Sequence, residues 1–125
     1  MRHLGFVVFL FSLGAGTAFA FQKPPFKETG KLEHPDEGIL TMAFSPDGKI
    51  LAVGGRTGQL NLWDPATNTK IRTVVAHPWA LRSLAWSTDG TKMITGSHDR
   101  TAKIWDTKSW RDLKTLVGHE DYITA

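Results

Sequence analysis

No cysteine occurs in this chain, which excludes disulfide staples, thiolate metal sites and anchoring through a lipidated cysteine within its 125 residues. An excess of one charge sign is also missing. The 15 basic and 12 acidic residues leave a net +3, and nothing in this balance implies a nucleic-acid partner. Beyond residue 20 no stretch runs three turns without a glycine, a proline or a cluster of turn residues, so helix is disfavoured. The longest apolar run, Leu4 to Leu13, is about half of the roughly 20 residues that a membrane-spanning helix needs.

That run sits in a three-part layout. Arg2 and His3 supply a positive start, the apolar stretch follows, and Ala18-Phe19-Ala20 ends it with a small-x-small site. Residues 1–20 are therefore expected to be a secretory signal peptide cleaved after Ala20, which exports the chain to the periplasm or beyond and leaves no stable membrane insertion. Cleavage removes one arginine, so 14 basic residues stand against 12 acidic ones, a balance of +2. Residues 21–28 read as a linker, because Pro24 and Pro25 fix φ and remove amide donors. Lys23, Lys27 and Lys31 read as part of a solvated tail.

From residue 29 onward the chain repeats itself at an offset of 42 residues. Leu62-Trp63-Asp64 returns as Ile104-Trp105-Asp106, Asp47-Gly48 as Asp89-Gly90, Gly54 as Gly96, Ala43 as Ala85, and His77 as His119. A fixed period of this size is the mark of a repeat architecture. Within each unit the apolar runs are short and bounded by turn residues, as in an all-β array. Strands are predicted at 39–44, 50–54, 59–63 and 70–75, then at 81–86, 92–96, 101–105 and 112–117. Ser45-Pro46-Asp47-Gly48 and Ser87-Thr88-Asp89-Gly90 supply the φ > 0 residue of a tight reversal.

These residues resemble the WD-repeat family, whose units carry Gly-His near the start and Trp-Asp at the end. Gly118-His119 matches fully, while Ala76-His77 and Glu33-His34 keep only the histidine. The resemblance covers residues 29–125 and implies all-β propeller blades: one repeat at about 34–64, a second at about 77–106, and the start of a third at 118–125. It implies a ring that is usually seven-bladed, so the chain reads as the N-terminal piece of a longer protein. Thr29 to Leu32 would then be an outer strand that latches the last blade. An isolated pair of blades is expected to associate, with apolar residues such as Leu51, Leu60 or Ile94 on an open face.

His77, Thr95, Asp99 and Trp105 contain the residue types of a nucleophile, a base and an orienting acid. The resemblance implies instead a buried structural tetrad that ties the loop leading into a blade to its sheet. No Gly-x-Ser-x-Gly elbow accompanies it. The first repeat has Val53 and Thr57 where the second has Thr95 and Asp99, which leaves only His34 and Trp63 of the set. Packing of Met42, Phe44, Leu51, Leu60 and Leu62 is expected to hold that blade. Gly54-Gly55-Arg56-Thr57-Gly58 lacks the Gly-Lys-Ser/Thr ending of a phosphate loop, and His34, His77 and His119 fall in different blades, too far apart to share a zinc ion. No cofactor and no metal are expected.

The family's partner-facing rim maps by position onto Gly38, Leu40 and Arg56, then Ala80, Arg82 and His98, then Tyr122 and Thr124, with Trp79 nearby. Arginine and aromatic residues suit a protein interface. The expected role is a non-catalytic exported scaffold that binds protein partners through this rim. The alternative is the propeller part of an exported multidomain enzyme or redox protein. A cytosolic adaptor is disfavoured by residues 1–20.

Overall fold

The computed structural model describes residues 6–7, 31–32 and 38–124. Among the described residues ten strands form three antiparallel sheets. Strands β3 (Ile39–Phe44), β4 (Leu51–Gly55), β5 (Gln59–Asp64) and β6 (Thr69–Val75) make the first four-stranded sheet in that order. Strands β7 (Leu81–Trp86), β8 (Lys92–Ser97), β9 (Ala102–Asp106) and β10 (Asp112–Leu116) make the second. A two-residue ladder joins β1 (Phe6–Val7) to β2 (Lys31–Leu32). Lys31 and Leu32, of the segment expected to latch a distant blade, thus pair here with Val7 and Phe6.

The first two strands of each sheet are joined by the same turn. In the second, Gly90 adopts φ 73° and its N–H donates to Ser87 O at 2.9 Å, as Gly48 at φ 72° does to Ser45. Asp89 accepts from Ser87 Oγ at 2.6 Å and from Thr91 N at 3.0 Å. With a further bond from the Thr91 hydroxyl, these donors lower the Asp89 pKa to about 2. The carboxylate replaces the solvent that the reversal would otherwise need.

Burial follows strand position. In the first sheet β4 is buried along its whole length and β5 nearly so, whereas the outer strand β6 is exposed except at Val74. Leu60, Leu62 and Ala52 of this sheet pack with Leu81, Met93 and Trp105 of the second in one core. Strands β3 and β7 lie against each other, and Trp86 Nε1 donates to Ala43 O at 3.2 Å across the gap. Arg72 reaches Ser109 O at 3.4 Å from the outer strand. On the far face of the first sheet, Leu51, Val53 and Trp63 form a second cluster with Ile39 and Met42.

Two expectations are corrected here. Leu51 and Leu60 are fully buried rather than on an open face, because each belongs to one of those two clusters; Ile94 alone of the three is exposed. Phe44 is 40% exposed and does not join either core. In the second sheet β8 alternates, with Met93 and Thr95 buried against the first sheet and Lys92 and Ile94 turned the other way. That other face carries a groove of about 280 Å³ lined by Leu84, Ile94, Ala102, Leu116 and Ile123 among others.

Candidate functional site

The four residues His77, Thr95, Asp99 and Trp105 form one hydrogen-bonded chain. Thr95 sits on β8 and Trp105 beside it on β9; His77 arrives from the loop after β6, and Asp99 from the β8–β9 turn. Trp105 Nε1 donates to Thr95 Oγ1 at 2.9 Å, Thr95 Oγ1 lies 2.8 Å from His77 Nε2, and His77 Nδ1 lies 2.9 Å from Asp99 Oδ2. The tautomer that satisfies every group carries its proton on Nδ1, so that Thr95 donates to Nε2 and Nδ1 donates to the Asp99 carboxylate.

Two residues outside the expected set complete the network. Thr101 Oγ1 donates to Asp99 Oδ1 at 2.6 Å, and Thr101 N donates to the same oxygen at 2.8 Å. Ser97 Oγ accepts from Asp99 N at 3.1 Å and donates to Trp79 O at 3.2 Å. The signal for Thr101 was present in the sequence: Asp-Arg-Thr places a hydroxyl two residues after an aspartate, the spacing of an Asx-type turn. Burial of Asp99 opposes its charge, but the bonds from Thr101 and His77 outweigh that and lower its pKa. Burial lowers the pKa of His77, with the Asp99 partner opposing it, and keeps the ring neutral.

Chemically this chain is a tie. Thr95 is fully buried and engaged on both sides, and His77 is 1% exposed, so neither presents a nucleophile or a base to a substrate. In the first repeat the corresponding indole differs: Trp63 Nε1 is buried without a hydrogen-bond partner among the described residues. Val53, which pairs with Met42 and Asn61 in the sheet, stands where Thr95 stands in the second and offers no acceptor. His34 lies outside the described residues. His119 is exposed beside the groove, and no group of three metal-ligating side chains occurs among the described residues.

The rim residues share a geometric feature that the sequence did not reveal. The ladder between β3 and β4 shifts register between Ile39 and Thr41, and that between β7 and β8 shifts between Leu81 and Ser83. The extra residues are Leu40 and Arg82, two of the positions expected on the rim, and a bulge at a strand end re-aims a side chain. Arg56 is exposed, and its side chain lies against Gly38, where a Cβ would stand 2.9 Å from Nε. His98 N donates to Ala80 O at 3.0 Å, and the His98 ring lies against Tyr122 with centroids 4.7 Å apart. Trp79 is 58% exposed on the same loop. Leu40 and Arg82 therefore occupy one kind of position in successive units, as do Arg56 and His98 in the turns, and His98 and Tyr122 are in direct contact.

Paired four-stranded antiparallel sheets stacked through a shared core, each with a 42-residue unit, are propeller blades. The family model described as WD domain, G-beta repeat matches residues 26–64 and 68–106, and the chain belongs to the WD-repeat family. An uncharacterized WD repeat-containing protein of Nostoc sp. (strain PCC 7120) is 44% identical over 39 residues, which are 31% of this chain and 3% of that protein. Two solved structures, one of U3-55K and one of the WD40 repeats of RRP9, superpose with TM-scores of 0.66 and 0.65 at 21% identity. Each covers 68% of this chain, and the chain spans 28% and 27% of theirs. At that identity they show the fold. Propellers of this kind generally bind protein partners and are generally not catalysts.

Proposed function

We propose that this chain belongs to an exported WD-repeat scaffold that binds proteins through the rim formed by Leu40, Arg56, Arg82, His98 and Tyr122, without catalysis of its own. The observation that carries this reading is the division of labour between two sets of residues. The buried set, His77, Thr95, Asp99 and Trp105, uses its hydrogen-bonding capacity internally. The outer set carries bulged, exposed or stacked side chains, among them the arginines and the tyrosine of types enriched at interfaces. Residues 1–20 support export, and the assigned domains are the signal peptide at 1–20, a linker at 21–28 and the propeller region at 29–125. Cleavage after Ala20 would remove β1 and release Lys31–Leu32 from its partner.

Two experiments test the proposal. A photo-crosslinking residue at position 122 of the full-length protein, expressed in its host, is expected to trap a protein that the same residue at position 114, on an outer strand, does not. Equal trapping at both positions would contradict the rim assignment. N-terminal sequencing of the exported product is expected to begin Phe21-Gln22-Lys23. Recovery of Met1 in the membrane fraction would contradict cleavage.

A further inference from the structure

The two repeats close their β-turns differently at one position. Gly58 ends the β4–β5 turn at φ 78°, and its carbonyl accepts from His77 N at 3.1 Å as the next loop presses down on it. A Cβ on Gly58 would stand 2.5 Å from Trp79 O and closer still to His77 O. The turn therefore requires glycine twice over, for its backbone conformation and for the loop above it.

Forty-two residues later the same position is Arg100, which holds the left-handed conformation at φ 67° despite its side chain. Such a residue is strained, and it persists only where its surroundings hold it in place. Here Arg100 N donates to Ser97 O at 3.2 Å, and the turn is braced by Ser97 N to Thr101 O at 3.1 Å. The loop corresponding to 77–79 is 119–121. It cannot settle on Arg100 as its counterpart settles on Gly58, because a Cβ now occupies the space that the two carbonyls fill. What binds this loop region to the second blade is Ile123 N donating to Ser97 O at 3.3 Å, together with the rings of His98 and Tyr122.

Arg100 and Tyr122 meet at the surface, with the guanidinium over the ring. The exposed Arg100 guanidinium lies 5.7 Å from the Tyr122 ring centroid and donates to no acceptor among the described residues. Its planar fork is free to take a carboxylate with two parallel bonds. Asp99, next in sequence, is engaged by His77 and Thr101, and Asp121 Oδ1 accepts from Tyr122 N. Glu120 and Asp121 lie on the loop, whereas the cations on the second blade's part of the rim, Arg82 and Arg100, lie on β7 and the β8–β9 turn.

We propose that the surface formed by Arg100, Tyr122 and His98 binds an acidic, extended segment of a protein partner, with one carboxylate on the Arg100 guanidinium and the adjoining chain against the Tyr122 and His98 rings. This rests on the rim reading above and specifies the chemistry of its partner. Charge complementarity selects acidic over basic or neutral segments, and the stacked rings give an apolar surface that does not depend on the segment's own side chains.

The test is fluorescence anisotropy with the full-length protein and three labelled twelve-residue peptides of alternating Ala/Glu, Ala/Gln and Ala/Lys. The Ala/Glu peptide is expected to bind, more weakly as salt rises, and the other two not. Arg100→Gly restores the residue of the first repeat and relieves the left-handed strain, so the fold is retained; affinity for Ala/Glu is expected to fall about tenfold or more. Lys114→Gln, on the outer strand, leaves it unchanged. Equal binding of all three peptides, or an Arg100→Gly variant that binds as the parent does, would overturn the inference. If crosslinking at position 122 still succeeds in that case, the rim reading stands and only the acidic partner fails; if it fails too, both fall.

Discussion

Leu81 occupies the space that a side chain on Gly54 would need: a Cβ there would stand 3.1 Å from Leu81 Cγ and nearer still to Cδ2. Ile123 covers Gly96 in the same manner, with its Cγ2 2.5 Å from the corresponding position. Both pairs are separated by 27 residues and related by the 42-residue period, so the seat of one blade's first strand on the preceding blade is itself a repeated feature.

This seat predicts that Gly54→Ala destabilises the protein by about 1 to 3 kcal/mol, the usual cost of overfilling a packed contact. Lys114→Ala, on the exposed outer strand, should stay within about 0.5 kcal/mol. Urea unfolding of the two variants makes the comparison. Equal stability would mean that the blades separate without cost at this point.

The tryptophans of the two repeats should respond differently to loss of their N–H groups. Trp105→Phe removes a donor that serves Thr95, so it forfeits a buried bond as well as packing, about 0.5 to 1.5 kcal/mol beyond the packing loss. Trp63→Phe removes a buried donor without a partner among the described residues and should cost less. Chemical denaturation of the two single variants decides it, and a larger loss for Trp63→Phe would contradict the assignment of the bonded chain to the second repeat.

Stability should also fall as the solution becomes acidic, in two stages. Burial lowers the pKa of His77 below its ordinary 6.5, so at pH values just under 6.5 the unfolded chain binds more protons than the folded one. The contribution is complete above 6.5 and is lost as pH falls toward the folded value. Asp47, Asp89, Asp99 and Asp106 are likewise lowered from 3.8, so their contribution is complete above that value and is lost below it. Thermal unfolding from pH 7.5 to 3 should show both slopes, and His77→Gln should abolish the first while the second, carried also by Asp47, Asp89 and Asp106, persists.

Most of the fold was legible because turn residues punctuate it. The strands of the two four-stranded sheets differ from the expected ones by no more than one residue at either end, since Asp-Gly reversals and Trp-Asp endings fix both limits. The four-residue chain was legible through its spacing and the family resemblance. Thr101 and Ser97 were missed because their roles depend on a turn that folds them back onto Asp99. Phe44 was misjudged because alternation along a strand does not say which face a neighbouring blade covers. Nor does an arginine aligned with Gly58 announce its backbone conformation; only the folded turn gives Arg100 its positive φ. The pairing of Lys31–Leu32 with Phe6–Val7 joins segments for which no repeat supplies a template.

The central claim is that the buried chain holds the blade while the rim binds partners. The most direct measurement compares two variants of the full-length protein, Asp99→Ala and the triple change Arg82→Ala, His98→Ala, Tyr122→Ala, for thermal stability and for capture of the partner trapped at position 122. Asp99→Ala is predicted to lose about 1 to 3 kcal/mol of stability and, below its melting transition, to capture the partner as the parent does. The triple variant is predicted to melt close to the parent and to lose capture. An Asp99→Ala protein of unchanged stability that has lost an activity, beside a triple variant that binds normally, would contradict the account.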